Sequence, residues 1–550
     1  MSRIERLFPF LSWPRADASL LRGEALAGLT VGLMVIPQGV AYAALAGMPL
    51  VTGIYASLLP ALIAVLFGAS HRLSVGPTAL SCLLVSASLA GLATPGSSEW
   101  IALAVWLSLL TGLLQVVLGL ARFGWLLNLV NSPVLMAFTQ AAAVLIIGSQ
   151  LPALLGLPAN PAEWLTGASP HWPSVAFGIG SLGVLMLARR WHPTFPTVLV
   201  VVLATAGASH LMGFEAQGGA VVGTLPEGLP AFYLPGWPGW GTLAQLAVPV
   251  LVVTLVSFLE TAASAKVDNA RQGQRWNQDQ DLIGQGLAKI AAGFSGTFPT
   301  SSSFSRSALN LYAGAKSGWA TVFSVVVVLV ALLFLLPVLH HVPQAVLAAV
   351  VLVAVIGLIK PREFLRLWRI SRVEAMIALA TVAITILSAP RLYWGVLAGV
   401  LMSLSHFLYQ RLHPRIIEVG AHPDGRLRDR HLWKLPPLAP ATYALRMDAE
   451  LDFGSAAALE RAITEHLAAH PATQHVVLMA QPINRVDATG VETFTRLRLL
   501  LEGQGRTLHL VGLKLPVEQT LRAAGELNES PHLHMYATEG EALRALNAGD

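Results

Sequence analysis

Of 550 residues, 54% are hydrophobic and only 12% are charged, about half the charge of an ordinary globular chain, which excludes a soluble enzyme. The shortage is uneven: 33 charged residues fall in 1–410 and 32 in 411–550, or 8% against 23%. A membrane domain followed by a water-soluble domain is therefore expected. Cys82, the single cysteine, excludes an internal disulfide and a Cys-based metal cluster. The net charge of +5 is read as basic cytoplasmic loops rather than nucleic-acid binding. No removable signal peptide is expected, because MSRIERLFPFLSWPRAD lacks a short apolar run ending at a small-residue cleavage site.

A bilayer core takes about 20 apolar residues per helix. On that rule, spans are predicted near 25–45, 49–68, 74–93, 99–120, 132–156, 172–190, 194–212, 243–266, 281–296, 300–313, 317–338, 343–359, 373–389 and 392–410. Several of these fourteen are too short to cross alone. From a cytoplasmic N-terminus (1–24), the inside loops hold His71–Arg72, Arg122, Arg189–Arg190, Lys266, Arg271, Arg275, Lys316, Lys360, Arg362, Arg366, Arg369 and Arg372. The long outside loops 157–171 and 213–242 carry Glu163, Glu215 and Glu227 but no Lys or Arg. That asymmetry is what the positive-inside rule predicts. An even number of spans leaves the C-terminal domain in the cytoplasm too.

The apolar pattern breaks twice in a matching way. IPQGVAYAALAG (36–47) is followed by SVGPTALS (74–81), and SFLETAASAK (257–266) by GTFPTSSSFSRSALN (296–310). Gln38 and Glu260 are 222 residues apart, as are Pro77 and Pro299, each followed by a threonine, Thr78 and Thr300. Fourteen spans thus divide into seven plus seven, and since seven is odd the second copy must be inverted.

Interrupted segments at matching places in two repeats point to a transporter's binding site. A helix that begins mid-membrane presents free N–H groups and the positive end of its dipole, and two such ends cradle an anion. The hydroxyls of 300–305 add donors; the alternative is a helix cap with small residues for close packing. Glu260 lies in the apolar stretch LAVPVLVVTLVSFLETAASA, where a carboxylate costs about 2.5–3.5 kcal/mol. It reads as a proton carrier. Arg306 is placed to pair with the anion or, with no transport role, with Glu260.

With these residues in view, the chain resembles the SulP anion transporters (sulfate permeases; solute carrier family 26 in animals). The resemblance rests on GEALAGLTVGLMVIPQGVAYAALAGMPLVTGIYASLLPALI (23–63), GASHRLSVGPTALS (68–81), SFLETAASAK (257–266) and GLAKIAAGFSGTFPTSSSFSRSALN (286–310). It implies an α-helical polytopic fold with a seven-plus-seven inverted repeat. Spans 1–4 and 8–11 would form a mobile core, spans 5–7 and 12–14 a gate, with the anion between the half-helices of spans 3 and 10 moved by an elevator-like shift. By the same resemblance the substrate-binding residues are Gln38, Tyr42, Thr78, Ala79, Ser303, Phe304, Ser305 and Arg306. Glu260 matches the carboxylate of proton-coupled relatives. Glu24 and His71 depart from the common Asp and Ser. A homodimer is implied as well. Separately, the short N-terminus and the lack of long inserted loops point to a bacterial chain, which would sit in the inner membrane.

Beyond a linker at 411–439, residues 440–550 alternate strand-like and helix-like patterns, as a small α/β layer domain does. TYALRMDAEL, HVVLMAQPI and TLHLVGL read as strands, SAAALERAITEHLAAH and GVETFTRLRLLLEGQG as helices. The tail resembles a cytoplasmic STAS domain, in which a serine of an Asp-Ser-Ser-Gly turn is phosphorylated in anti-sigma antagonists. Here that turn reads Asp487-Ala488-Thr489-Gly490. Thr489 is a possible regulatory phosphosite, the alternative being a helix N-cap. His466, His470 and His475 lack metal spacing with a carboxylate, and no P-loop is present.

The expected function of the 25–410 domain is proton-coupled symport of a small oxyanion such as sulfate. The expected partners are that anion, protons and the lipid bilayer, with no cofactor, metal or nucleic acid. A dicarboxylate or bicarbonate carrier fits the same features. An uncoupled exchanger or channel leaves Glu260 without a purpose, and a signalling scaffold leaves the whole buried polar cluster without one.

Overall fold

The computed structural model describes residues 8–158, 163, 169–191, 195–226, 228–528 and 530–548. Residues 1–7, residues 159–162 and 164–168 of the first loop expected to lie outside the membrane, and Glu227 of the second such loop are not among them. The chain divides between Ser403 and Leu404 into two units, each with its own core.

In the first unit the apolar runs fold as helices where hydropathy places them. The first seven spans are α1 (Ala18–Leu45), α2 (Leu59–Phe67), α3 (Ala79–Leu89), α4 (Ser98–Leu120), α5 (Ser132–Leu155), α6 (Trp172–Trp191) and α7 (Thr197–Leu211). The short strand β1 (Val75–Gly76) precedes α3. The second set is α8 (Trp240–Gln272), α9 (Gln278–Phe294), β2 (Ser301–Ser302), α10 (Phe304–Tyr312), α11 (Trp319–Phe334) and α12 (Gln344–Ile356). It continues with α13 (Pro361–Ile370), α14 (Arg372–Leu387) and α15 (Tyr393–Leu412). Helix α13 is an addition to the expected spans: it carries Arg362, Arg366 and Arg369 and buries none of its own residues.

Among the described residues, five stretches are long and apolar enough to cross a bilayer unaided: α1, α4, α5, α8 and Gln344–Ile370, which holds α12 and α13. Helices α3 and α10, with 11 and 9 residues, extend about 17 and 14 Å, each about half of a 30 Å hydrocarbon core. Their leading strands pair antiparallel, Val75 with Ser302 and Gly76 with Ser301. Irregular backbone at that depth must be satisfied by protein, and the pairing does so.

The packing respects the repeat. Helix α4 packs on α9 as α11 does on α2, α5 on α14 as α12 does on α6, and α3 on α8 as α10 does on α1. Exchanging the two sets leaves this pattern unchanged, and the antiparallel β1–β2 pair runs the copies in opposite senses. Lipid-embedded helices associate through close backbone approach rather than hydrophobic exclusion. Where α4 crosses α9, a Cβ on Gly112 would stand 2.6 Å from the Gly286 carbonyl oxygen, and one on Gly286 equally close to that of Gly112. Only glycine fits either position. Glu24, though buried, caps α11: its carboxylate accepts from the amides of Lys316 and Ser317 at 2.8 Å and of Ala320 at 2.9 Å. The negative charge meets the positive end of the helix dipole, so the departure at Glu24 falls on a helix cap.

The second unit is a six-stranded sheet in the order β4-β3-β5-β6-β7-β8, formed by β3 (Ile416–Ala421), β4 (Leu427–Asp429), β5 (Thr442–Met447), β6 (His475–Met479), β7 (Thr507–Val511) and β8 (Leu533–Tyr536). Its longer helices are α16 (Ala456–Ala469), α17 (Ala488–Gly503), α18 (Leu515–Ala523) and α19 (Glu539–Ala548). Strand alternation divides the side chains: Leu445, Leu478 and Leu510 face the core shared with Leu459 and Leu501, while Ala444, Val477 and Val511 face Ala542 of α19. Segment 411–439, expected as a linker, contributes β3 and β4. Both pair antiparallel at the sheet edge, outside the βα alternation that made the other strands recognisable.

Candidate anion site between two half-helices

Helices α3 and α10 start in the middle of the first unit with capped N-termini. The Thr78 hydroxyl accepts from the Ser81 amide at 3.3 Å, and the Ser303 hydroxyl from the Arg306 amide at 3.4 Å. A cap satisfies one of the four N–H groups that a helix start leaves open. The Ser303 amide donates across to the Ser74 carbonyl at 2.9 Å, and Ser303 and Ser305 hydroxyls lie 3.3 Å apart.

Arg306, in the first turn of α10, is 1% exposed. Its Nε donates to Ser74 Oγ at 3.3 Å and its Nη1 to Gln38 Oε1 at 3.4 Å, but its Nη2 has no hydrogen-bond partner. Gly76 of β1 lets the guanidinium lie against the strand, since a Cβ there would be 3.3 Å from Nη2. An unpartnered buried donor on a cation is costly, and an anion would satisfy it. The hydroxyls of Thr300 and Ser302 are also buried without partners.

Glu260 of α8 faces the other half-helix. Its Oε2 accepts from the hydroxyls of Thr78 at 3.1 Å and Ser81 at 3.2 Å. Among the described residues no ion pair joins Glu260 to Arg306, so the purely structural pair weighed from the sequence is not formed. Lys289 of α9 is fully buried, with an unpartnered Nζ; it interacts electrostatically with Glu260 and, among the described residues, makes no direct ion pair with it. The sequence reading assigned Lys289 no role, although a lysine inside GLAKIAAGF interrupts an apolar helix. Ser74 and Ser81 were missed as well, having no charge to single them out.

A cavity of about 400 Å³ opens beside α10. Gln38, Phe304 and Ser305 line it, with Thr30, Phe195 and Tyr312 among its walls. Tyr42 and Ala79 do not reach it: Tyr42 is 4% exposed, one turn beyond Gln38, and both belong to the apolar core around the α1–α3 contact. Thr78, Ser303 and Arg306 are not among the residues lining the cavity; they stand where the half-helices begin. Of the eight residues expected to bind the anion, three line the cavity, three stand at the half-helix starts and two belong to the apolar core.

In the second unit, Thr489 is exposed at the second residue of α17. It is not the helix cap. Asp487 is, accepting from the Gly490 amide at 2.8 Å and the Phe453 amide at 3.0 Å; its carboxylate out-competes the neighbouring hydroxyl for these amides.

The sequence profile described as the sulfate permease family matches residues 21–381, and that of the STAS domain residues 438–542. A probable sulfate transporter of Mycobacterium tuberculosis is 33% identical over 537 residues, covering 96% of this chain and 95% of its own. The chloroplastic sulfate transporter 4.1 of Arabidopsis thaliana is 30% identical over 525 residues, covering 90% of this chain and 76% of its own. Among solved structures, the murine solute carrier 26 family member A9 anion transporter superposes with a TM-score of 0.86 at 20% identity, covering 99% of this chain and 94% of that one. The transmembrane domain of the cyanobacterial bicarbonate transporter BicA does so with a TM-score of 0.61 at 19% identity, over 70% of this chain and 98% of that one. These two establish the helical membrane-transporter fold alone. With a family profile over most of the membrane domain and a full-length relative at 33% identity, the chain belongs to the sulfate permease family of multi-pass membrane anion transporters and carries a C-terminal STAS domain.

Proposed function

We propose that this protein is a proton-coupled symporter of a small oxyanion, sulfate foremost. Gln38, Tyr42, Thr78, Ala79, Ser303, Phe304, Ser305 and Arg306 form its anion site, and Glu260 carries the proton. The observation that carries this reading is the position of the Glu260 carboxylate at the N-terminus of α3, held by Thr78 and Ser81. The anion is drawn by the open N–H groups of α3 and α10 and by Arg306 Nη2. A second negative charge entering beside an ionised Glu260 is repelled, and the repulsion is strong in a low-dielectric site. A proton on Glu260 removes it. By linkage, whatever the proton does for the anion the anion does for the proton, and the two move together. Relatives named as sulfate transporters support the substrate.

The cavity has more room than sulfate needs, and most of its walls are apolar. That favours one second reading, a small dicarboxylate such as fumarate or succinate. The excess of basic residues in 266–275 and 360–372 supports an inner-membrane orientation with both termini cytoplasmic, and the family resemblance supports a homodimer.

Uptake of labelled sulfate into proteoliposomes, with and without an inward proton gradient and with cold fumarate, succinate and bicarbonate as competitors, tests the reading. Gradient-stimulated sulfate uptake that resists the competitors is expected. Gradient-driven uptake of a competitor instead replaces the substrate, and flux indifferent to the gradient overturns the coupling.

A further inference from the structure

Far along α7 from the anion site, four potential metal ligands come together. His210 lies in the last turn of α7. The chain then turns through Gly213, at φ +59, and the amides of Phe214 and Gly218 bond to the carbonyls of Ser209 and Glu215, both at 3.0 Å. This fixes the backbone of Glu215. Residues 220–223 run beside 340–344: the Val222 amide meets the Val342 carbonyl at 2.9 Å, the Gly223 amide that of His340 at 3.1 Å, and the Gln344 amide that of Ala220 at 2.9 Å. The turn carrying His340 and His341 is thereby held against the segment that follows Glu215.

Glu215 Oε2 is 3.6 Å from His340 Nε2. The rings of His340 and His341 lie 4.7 Å apart between centroids, and those of His341 and His210 4.3 Å. One ligand atom each from Glu215, His340 and His341 falls within 4.8 Å of the others. Donors around a tetrahedral Zn²⁺ are separated by about 3.3 Å, as bond lengths near 2.0–2.1 Å require. The Glu215–His340 pair is already close to that, and the remaining gap is within a rotamer change of partly exposed side chains. Three adjacent imidazoles repel one another when protonated, whereas neutral rings beside a carboxylate present lone pairs to a cation. A borderline-soft divalent ion suits two imidazoles and a carboxylate.

We propose that Glu215, His340 and His341 bind a divalent transition-metal ion of the Zn²⁺ class, with His210 or water as the fourth ligand. The bound ion ties the end of α7 and its following loop to the turn that enters α12. This site is independent of the anion and of its coupling ion, so neither reading falls with the other.

The test uses the purified full-length chain, freed of any affinity tag and stripped with a chelator. Zn²⁺ is titrated against a chromophoric competitor, and Co²⁺ is followed by its visible ligand-field bands. One ion per chain is expected. The His340→Ala/His341→Ala variant should lose it, and Glu215→Gln should bind at least about tenfold more weakly. His341→Gln, checked by size-exclusion chromatography, serves if the double variant misfolds, and it too should lose the Co²⁺ bands. His475→Ala in the second unit should leave binding unchanged. No saturable binding by the unaltered chain, full binding by the His340/His341 variants, or loss in His475→Ala would each overturn the proposal.

Discussion

The Thr78 hydroxyl donates to Glu260 Oε2 at 3.1 Å while its oxygen receives the Ser81 amide at 3.3 Å. One side chain thus caps the half-helix and holds the carboxylate, across 182 residues of sequence. Any change at Glu260 is felt at the start of α3, in the proposed anion site.

Replacing Glu260 by Gln keeps an oxygen to accept from Thr78 and Ser81 but removes the titratable charge. Gradient-driven accumulation should disappear while anion exchange and thermal stability in detergent persist. Normal uphill uptake by this variant would remove Glu260 from the coupling.

Ser303 has two duties that two substitutions separate. Ser303→Ala removes the cap of α10 and should cost about 1 kcal/mol of stability, read as a lower melting temperature. Ser303→Leu also fills the space between the half-helices and should abolish anion binding by equilibrium titration. Unchanged affinity in the leucine variant would take the half-helix layer out of the site.

Gly112 meets Gly286 where α4 crosses α9. Gly112→Val puts side-chain carbon against the Gly286 carbonyl, at 2.6 Å for the Cβ alone, and should destabilise by about 1–3 kcal/mol. Thermal unfolding in detergent measures it, with Gly148→Ala, which has open space around its Cβ, as the neutral comparison.

In the second unit, Asp487→Ala should lower stability by about 1 kcal/mol through the lost cap of α17, whereas Thr489→Ala should be nearly neutral. Chemical denaturation of the two variants compares them directly.

Burial, with His475 and His534 alongside, pushes the His509 imidazole down to about 4 from an ordinary 6.5. The folded unit holds His509 neutral, and the unfolded chain takes up a proton below pH 6.5. Stability is therefore full above that pH and falls as the pH drops from 6.5 towards 4, by up to about 3 kcal/mol. Pulse proteolysis of the C-terminal unit in the full chain, near pH 7.5 and near pH 5, should show the loss. His509→Phe should flatten it.

What the sequence determined by itself is what depends on neighbours along the chain. Apolar runs mark the helices because a bilayer admits little else. Gly-Pro and Ser-rich breaks mark the starts of α3 and α10 because they are local punctuation, whereas the individual site residues came from the family resemblance of the motifs around them. The βα alternation of the second unit is equally local. Tertiary structure decided the pairings. Arg306 turns to Gln38 and Ser74 rather than to Glu260, Lys289 comes into electrostatic reach of Glu260, and β3 and β4 complete a sheet from a segment that reads as a linker. Glu215 finds His340 across more than a hundred residues. Partners brought together by helix packing and strand order leave no periodicity in the chain, since their proximity is a property of the fold's geometry and not of any stretch of sequence.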